Sequence, residues 1–568
     1  MDAQNVKIWV RLESLLFGII PEQVATSDQL KIKYLRRIIP YIQKKATNPD
    51  FSNVISYRQW IHIACDKLDF PVPVAKYYFG SFIILCRSLQ IGKSATIAFQ
   101  PKYEILPTDF EDQVVDVYEF VIFLYIQHFS NFKSKFLSNT LSSPTQEWPS
   151  VESTDQCLQS EICSLKNVFD EDRYREFVLE GMQEIFELFA GKDFTHSRDD
   201  VIKLEWLQAF NLILGVSLDG NIKVKTLESL CRSEDLRTHT GFIAYQSAFL
   251  KRNLLNFLKS RLSCGPFSLQ SVLRNGKVLS WLKNDQTLRS GTGHTITNSP
   301  YATPNSKLVL FAFIVKCTLA RMSTSLHYSN VYLHRCFSSY LYLLDPLRNL
   351  TVEKCKDVTL VTGPVSGTVY LSGCKNLKVM VICSRLVISD CRDCMISVAT
   401  QINPLLVGSK NMNIVLGPFC TYYPTLEEHL RDTNMQVQGG MFENPLVMDD
   451  KGEMSGANVY SVLPPEKFSY FAVPYKMSGK TNKIPFLPSS YYKSVKRQRN
   501  SLKEWQDEVK SKLNTQQMKE IQKIVRLRMK LWMRETTFQR ELDQLSGKCK
   551  VDNSVPKVIT GNVIDIPS

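Results

Sequence analysis

The chain reads as a multidomain α+β protein, with an all-helical N-terminal half, a right-handed parallel β-helix in the middle and long basic C-terminal helices. Three observations predict this. A short pattern is written five times across 331–416, apolar residues recur at helical spacing as far as about Leu262, and a basic stretch of helical spacing follows the repeat. At 568 residues the chain is too long for one core and should hold about three domains.

The repeat is aligned on Cys336, Cys355, Cys374, Cys391 and Ser409, with steps of 19, 19, 17 and 18 residues. Five before the four cysteines stand Val331, Leu350, Val369 and Leu386. Three before the five anchors stand Leu333, Val352, Leu371, Ile388 and Leu406, and five after them Leu341, Leu360, Val379, Ile396 and Ile414. Apolar residues alternating with polar ones give strand spacing. Lys356-Asp357, Lys375-Asn376, Arg392-Asp393 and Lys410-Asn411 then break each run as a corner would. A fixed period near 18 marks a stacked solenoid, because no single coil can bury its own face. Cysteine at the inward anchor is a compact apolar filler, so Cys374 should lie against Cys355 and Cys391.

The rest of the chain is placed around that repeat. The expected division is a helical N-terminal domain (1–132), a Ser/Pro-rich linker (133–165) and a second helical region (166–288). The β-helix domain (304–436), an irregular Pro/Gly-rich segment (437–492), a basic helical segment (493–545) and a flexible tail (546–568) follow. In the first domain Tyr34, Ile38, Tyr41 and Ile42 form one stripe, and YEFVIFLYIQHF is apolar almost all round, as a buried helix is. Tyr174, Phe177, Met182, Ile185 and Phe189 line the inner face of a later helix, and Ser197 with Asp200 resembles a capping box that starts another. The solenoid and its cap should end before residue 440. The segment 493–545 carries 14 Lys/Arg against 7 Asp/Glu, net +7, half the excess of the whole chain. Its stripes, Leu502, Trp505 and Val509, then Ile521, Ile524 and Leu531, either pack back on the β-helix or dock into a partner.

Composition narrows the function. Net charge +14 favours acidic partners. The N-terminus has no basic region before an apolar core, so no export signal is expected, and the 15 cysteines are read as reduced in a cytosolic compartment. No apolar run approaches the ~18–20 residues of a membrane span. Cys391 and Cys394 form a Cys-x-x-Cys without a second pair at zinc-finger distance, and Cys391 falls on the inward anchor, so filler is favoured over metal. His334, two before an anchor, is expected on a solvated face, and His62, beside Trp60, in a core. SGTGHT (290–295) follows no strand and lacks a Lys-Ser/Thr pair, a very weak phosphate loop. No catalytic, cofactor-binding or metal-binding residue is assigned and no cofactor is expected. Nucleic-acid binding is not expected either, since the basic helices lack regularly interleaved aromatics.

The segments VYLHRC, LTVEKC, VTGPVSGTVYLSGC, VMVICSRLVIS and GPFCTYYPTLEEHL resemble the C-CAP/cofactor C-like domain of tubulin-binding cofactor C. VKIWVRLE, YRQWIHIACDKL, FLYIQ, EWPS, YLLDPLR, ENPLVM and VLPPEKF extend the resemblance, in order, to the full-length TBCC domain-containing protein 1 family. The resemblance implies a β-helix behind a helical half, and association with centrosomes, spindle poles or basal bodies. It also implies a role in positioning the centrosome and Golgi, and partners among centrosomal or cytoskeletal proteins, with tubulin or a small G protein as candidates. In cofactor C a Cys-Gln-Gln-x-Arg stretch supplies an arginine finger, a device worth roughly 10³–10⁵ in the rate of GTP hydrolysis. Here that stretch is Cys383-Ser384-Arg385-Leu386-Val387, with valine at the finger position. Val387 is at an outward position, as is Arg385, two residues and ~6.6 Å earlier along the strand. The expectation is therefore a non-enzymatic adaptor in the cytoplasm and at the microtubule-organising centre. The alternative is a GTPase-activating or tubulin-folding cofactor.

Overall fold

The computed structural model describes residues 6–20, 30–45, 53–89, 113–129, 171–191, 200–217, 224–263, 294–296, 308–312, 314–316, 318–321, 326–435, 440–449, 454–455, 459–474, 487–535, 539 and 541. The Ser/Pro-rich linker, the start of the capping box at Ser197, most of SGTGHT and the C-terminal tail lie outside them.

The N-terminal half is helical, as its apolar spacing requires. Val117–Ile126 is buried at every position, and Asp116 caps it by accepting from the Tyr118 and Glu119 amides. Around it pack Tyr57–Leu68, closed by a Ser56–Gln59 capping box, together with Val72–Leu89 and Glu171–Ala190. Tyr174, Phe177, Met182, Ile185 and Phe189 are all buried. Burial of each such side chain stabilises by roughly 1.5–3 kcal/mol. Short strands interrupt the helices, which an all-helical expectation did not include. Val54–Ser56 pairs with Val114–Asp116, and Lys7–Val10 pairs with both Leu214–Ser217 and Leu262–Ser263. The stretch expected as one helix after Ser197 is a strand (Val201–Lys203), a helix (Leu204–Ala209), a 3₁₀ turn and the strand Leu214–Ser217. His62 also departs from expectation. It lies on the outer side of Tyr57–Leu68, with its side chain 46% exposed and Nδ1 2.5 Å from Asp66. Trp60 takes the core place beside it, fully buried with Nε1 donating to the Ala75 carbonyl.

The middle of the chain is a parallel β-solenoid of about five coils. Its strands form two stacks. One runs Leu308–Ala312, Ser329–His334, Leu347–Glu353, Val365–Ser372, the second half of Lys378–Ser389, Leu405–Val407 and Leu446–Met448. The other runs Thr318–Arg321, Tyr340–Leu343, Thr359–Thr362, the first half of Lys378–Ser389, Met395–Thr400, Ile414–Pro418 and Tyr460–Val462. At the corner between them Cys336, Cys355, Cys374 and Cys391 are stacked and fully buried. Cys374 Sγ donates to the Val352 and Ser372 carbonyls, 3.5 and 3.4 Å away, and burial, together with the Cys355 thiol, pushes its own thiol well up. The turn is sharp because the backbone is left-handed on both sides of the cysteine. Arg335, Lys354, Gly373 and Asp390 have positive φ one residue before it, and Ser338, Asp357, Asn376, Asp393 and Asn413 close the corner in the same way. Asp and Asn tolerate that region better than other side-chain-bearing residues, which is why the repeat writes one of them there so often.

The fifth anchor is not Ser409. Gly408, Ser409 and Lys410 make a longer connection, Ser409 is exposed, and Asn411 takes the inward place. Its Oδ1 accepts from the Cys391 amide at 2.9 Å and its Nδ2 donates to the Val407 carbonyl at 2.7 Å. The amide thus takes over the backbone contacts that the anchor thiols make in the earlier coils and adds a bond to the carbonyl four residues before it. The solenoid sheet also extends past residue 440, through Leu446–Met448 and Tyr460–Val462. Its cap reaches into the helix Ser489–Lys512, where Tyr491 is 2% exposed, stacks its edge against Phe442 and Phe468, and donates to the Leu463 carbonyl at 2.5 Å. This covers an edge that would otherwise offer unpaired strand groups.

Candidate functional site: the covered face of the solenoid

The site singled out by the sequence is the second half of the strand Lys378–Ser389. Arg385 and Val387 point away from the coil interior, as their parity requires, but neither meets solvent: each is 1% exposed. The helical half lies over them. Val72–Leu89 packs against the strands Val365–Ser372 and Lys378–Ser389. Val387, Leu405, Val407, Leu446 and Met448 belong to the same apolar core as that helix, with Tyr370 half-buried at its edge. An outward column of this kind is apolar because its second face is covered too.

Arg385 is held inside this contact. Its Nε donates to the Tyr77 hydroxyl at 2.8 Å, its Nη1 donates to the Phe17 carbonyl at 2.7 Å, and the guanidinium lies 5.4 Å from the centre of the Tyr77 ring. Its Nη2 has no hydrogen-bond partner among the described residues. Burial raises the Tyr77 hydroxyl, and the Arg385 charge opposes that rise. A second cation on the solenoid, Arg348, is 3% exposed, and burial lowers it to about 10 against the pull of Glu13 from the helical half. Asn349 bonds Asn330 and the Thr368 amide, and its Nδ2 lies 3.5 Å from Ser88 Oγ on the docking helix. The arrangement is a clamp between two halves. The guanidinium is directed at a tyrosine and a main-chain carbonyl of the helical half instead of at solvent.

His334 is a correction of the same kind. It is fully buried, stacked with Tyr332 at 6.0 Å between ring centres, with Nδ1 3.5 Å from Glu353. Tyr332 donates to the same carboxylate. Burial works to raise the Glu353 carboxyl, but hydrogen bonding and charge from His334, with Lys354 3.2 Å away, outweigh it and bring it down to about 2. Cys391 and Cys394 are both buried, their thiols donating to the Ser389 and Arg392 carbonyls. Among the described residues no group of three or more His, Cys, Asp or Glu is placed to hold a metal. The strand His294–Ile296, at the end of SGTGHT, pairs antiparallel with Leu308–Ala312. Tyr77 and Phe17 were not legible as partners of Arg385. The run VMVICSRLVIS, apolar on both parities, carried the signal that its outer face is covered.

The basic segment is two helices, Ser489–Lys512 and Thr515–Glu535, broken at Leu513–Asn514. Asn514 caps the second, accepting from the Gln516 and Gln517 amides while its own amide donates to Gln517. The first helix is fixed at its start by Tyr491 and by Gln498, which donates to the Glu466 carbonyl. Beyond the second, Glu541 is buried and accepts from the Tyr342 hydroxyl on the solenoid. No helix among the described residues is long and apolar enough to cross a membrane.

Residues 328–445 match the family model described as Tubulin binding cofactor C. Along nearly its full length the chain is similar to TBCC domain-containing protein 1 of Mus musculus, 30% identical over 96% of this chain and 99% of that one. The Homo sapiens protein is 30% identical over 96% and 98%, and the Danio rerio protein 29% over 96% and 94%. The chain belongs to the TBCC domain-containing protein 1 family.

Proposed function

We propose that the protein is a non-enzymatic adaptor of the microtubule cytoskeleton, acting at the centrosome and spindle pole and helping to position the centrosome and the Golgi apparatus. The observation that carries the non-enzymatic part is the fate of the finger position. Val387 cannot stabilise charge on a transferring phosphoryl group, and Arg385, the one nearby substitute, is clamped by Tyr77 and Phe17. The family's printed name and the cofactor C match support a cytoskeletal setting, with tubulin or a tubulin-associated protein as the natural class of partner. The site of action rests on the resemblance described above.

Two experiments test this. In single-turnover GTP hydrolysis by tubulin and by small G proteins, with cofactor C as positive control, added protein should not accelerate the reaction. A stimulation of about a hundredfold that disappeared in Arg385→Ala would reverse the reading. A tagged copy imaged against a centrosome marker should concentrate at that marker, and a diffuse signal at every stage of the cell cycle would remove the site of action. Residues 500–568 are the segment to delete when asking where recruitment resides, because Tyr491 and Gln498 belong to the solenoid cap.

A further inference from the structure

The helix Thr515–Glu535 has no buried residue, although nine of its 21 residues are Met, Ile, Val, Leu or Trp. Ile524 is 64% exposed, Val525, Leu527 and Met529 are 54–55% exposed, and Leu531 and Trp532 47%. Spaced at ~100° per residue, Lys519, Lys523, Arg526, Lys530 and Arg534 fall in one sector about 80° wide. Met518, Ile521, Val525, Met529 and Trp532 fall in another of about the same width, and Ile524, Leu527 and Leu531 form a second, separate apolar strip about 60° wide beyond Gln517, Arg528 and Glu535. Arg528 stands at one flank of the strip centred on Val525 and Arg526 at the other. The helix is ~30 Å long and carries six Lys/Arg against two Glu.

We propose that this helix is a peripheral membrane-binding element that lies flat on a bilayer rich in anionic phospholipid. The strip centred on Val525 enters the boundary between headgroups and acyl chains, while the flanking and opposite Lys/Arg reach phosphates along their flexible stems. A five-residue apolar strip that includes Trp532, with Lys/Arg on the opposite side and at its flank, suits a lipid surface. A second copy of the helix is disfavoured, because pairing would bring twelve cations together with four carboxylates. Net positive charge complements anionic headgroups and gives nothing on a neutral bilayer. Both ends of the helical segment return to the solenoid, through Tyr491 and Glu541, so it is presented at a fixed place on the protein. The inference is independent of the finger position and of the cytoskeletal reading.

Co-sedimentation of the full chain with vesicles tests it. Binding to phosphatidylcholine vesicles containing about 30 mol% phosphatidylserine should exceed binding to phosphatidylcholine alone by at least about tenfold. It should fall as salt is raised from about 0.1 M to about 0.5 M. Val525→Glu combined with Met529→Glu should abolish it, with the thermal transition unchanged because both side chains are exposed and glutamate keeps the helix. Lys523→Gln with Arg526→Gln and Lys530→Gln should lower the anionic preference while sparing any residual binding to neutral vesicles. No sedimentation, equal binding to the two compositions, or full retention by the double-glutamate variant would each overturn the proposal. So would tight association with calcium–calmodulin in the absence of vesicle binding, which would assign the helix to an acidic protein groove.

Discussion

Arg385 and the helix Thr515–Glu535 both carry positive charge outside the solenoid's inner column, yet they meet opposite environments. Arg385 is 1% exposed and bonded to two neutral groups of the helical half, whereas the helix keeps all its side chains at least partly in solvent. Parity along a strand says which side of the coil a residue leaves by. It does not say whether water or another domain is waiting there. In this protein the difference is set by the neighbours: Val387, Leu405 and Val407 make the strand's outer side apolar and recruit a covering layer, while on the helix the cations keep one whole side wet.

The contrast can be broken most severely at Val387. Val387→Arg puts an unpaired charge into the shared core and should destabilise the protein by about 3–5 kcal/mol in urea unfolding, with no gain in GTPase stimulation. A mild effect would mean the two halves separate readily. Next comes Arg385→Ala, which leaves the Tyr77 hydroxyl and Phe17 carbonyl without their donor and should cost about 2–4 kcal/mol. Arg385→Met, which fills the space without a charge, should recover most of that loss, and equal losses in both would deny the guanidinium its clamp role.

Glu353 gives a pH-dependent measure of the buried cluster it makes with His334 and Tyr332 on the solenoid. Its folded-state value of about 2 lies below the ordinary carboxyl value of 4.5, so it stabilises the fold at neutral pH, and that contribution is lost as pH falls from 4.5 towards 2. Glu353→Gln should therefore flatten the acid limb of a stability–pH curve, and an unchanged limb would show the carboxylate contributes nothing there. The smallest effect belongs to the exposed helix. Neutralising Arg526, Arg528 and Lys530 together should change the unfolding free energy by no more than about 0.5 kcal/mol, since none is buried.

The solenoid was legible because each coil repeats one environment, so inward Cys336, Cys355, Cys374 and Cys391 announce themselves by period. The period failed where the environment changed. At the fifth corner two extra residues move the anchor from Ser409 to Asn411, an amide chosen for backbone groups that no spacing rule tracks. His334 and His62 exchanged their expected places for a related reason. The covering of a strand's outer side and the outer edge of a helix are set by residues far away in the chain, and single-segment periodicity cannot register them. The three-residue strands Val54–Ser56 and Val201–Lys203 are too short to carry a period at all. Arg385 and Val387 were legible as outward positions of their strand, and the domain lying over them only as an apolar run that alternation did not explain.

The bond from Arg385 to Phe17 spans 368 residues and the one to Tyr77 spans 308. During synthesis at ~5–20 residues per second, Phe17 and Tyr77 therefore leave the ribosome about 15–75 s before their partner strand exists. For that interval the surface of Val72–Leu89 that will receive Val387 and Leu405 has nothing to cover it. The protein's most vulnerable moment is thus written into its gene order: a wait between two finished pieces of sequence, during which an apolar surface needs a temporary escort or a slow enough encounter rate with its neighbours on the polysome.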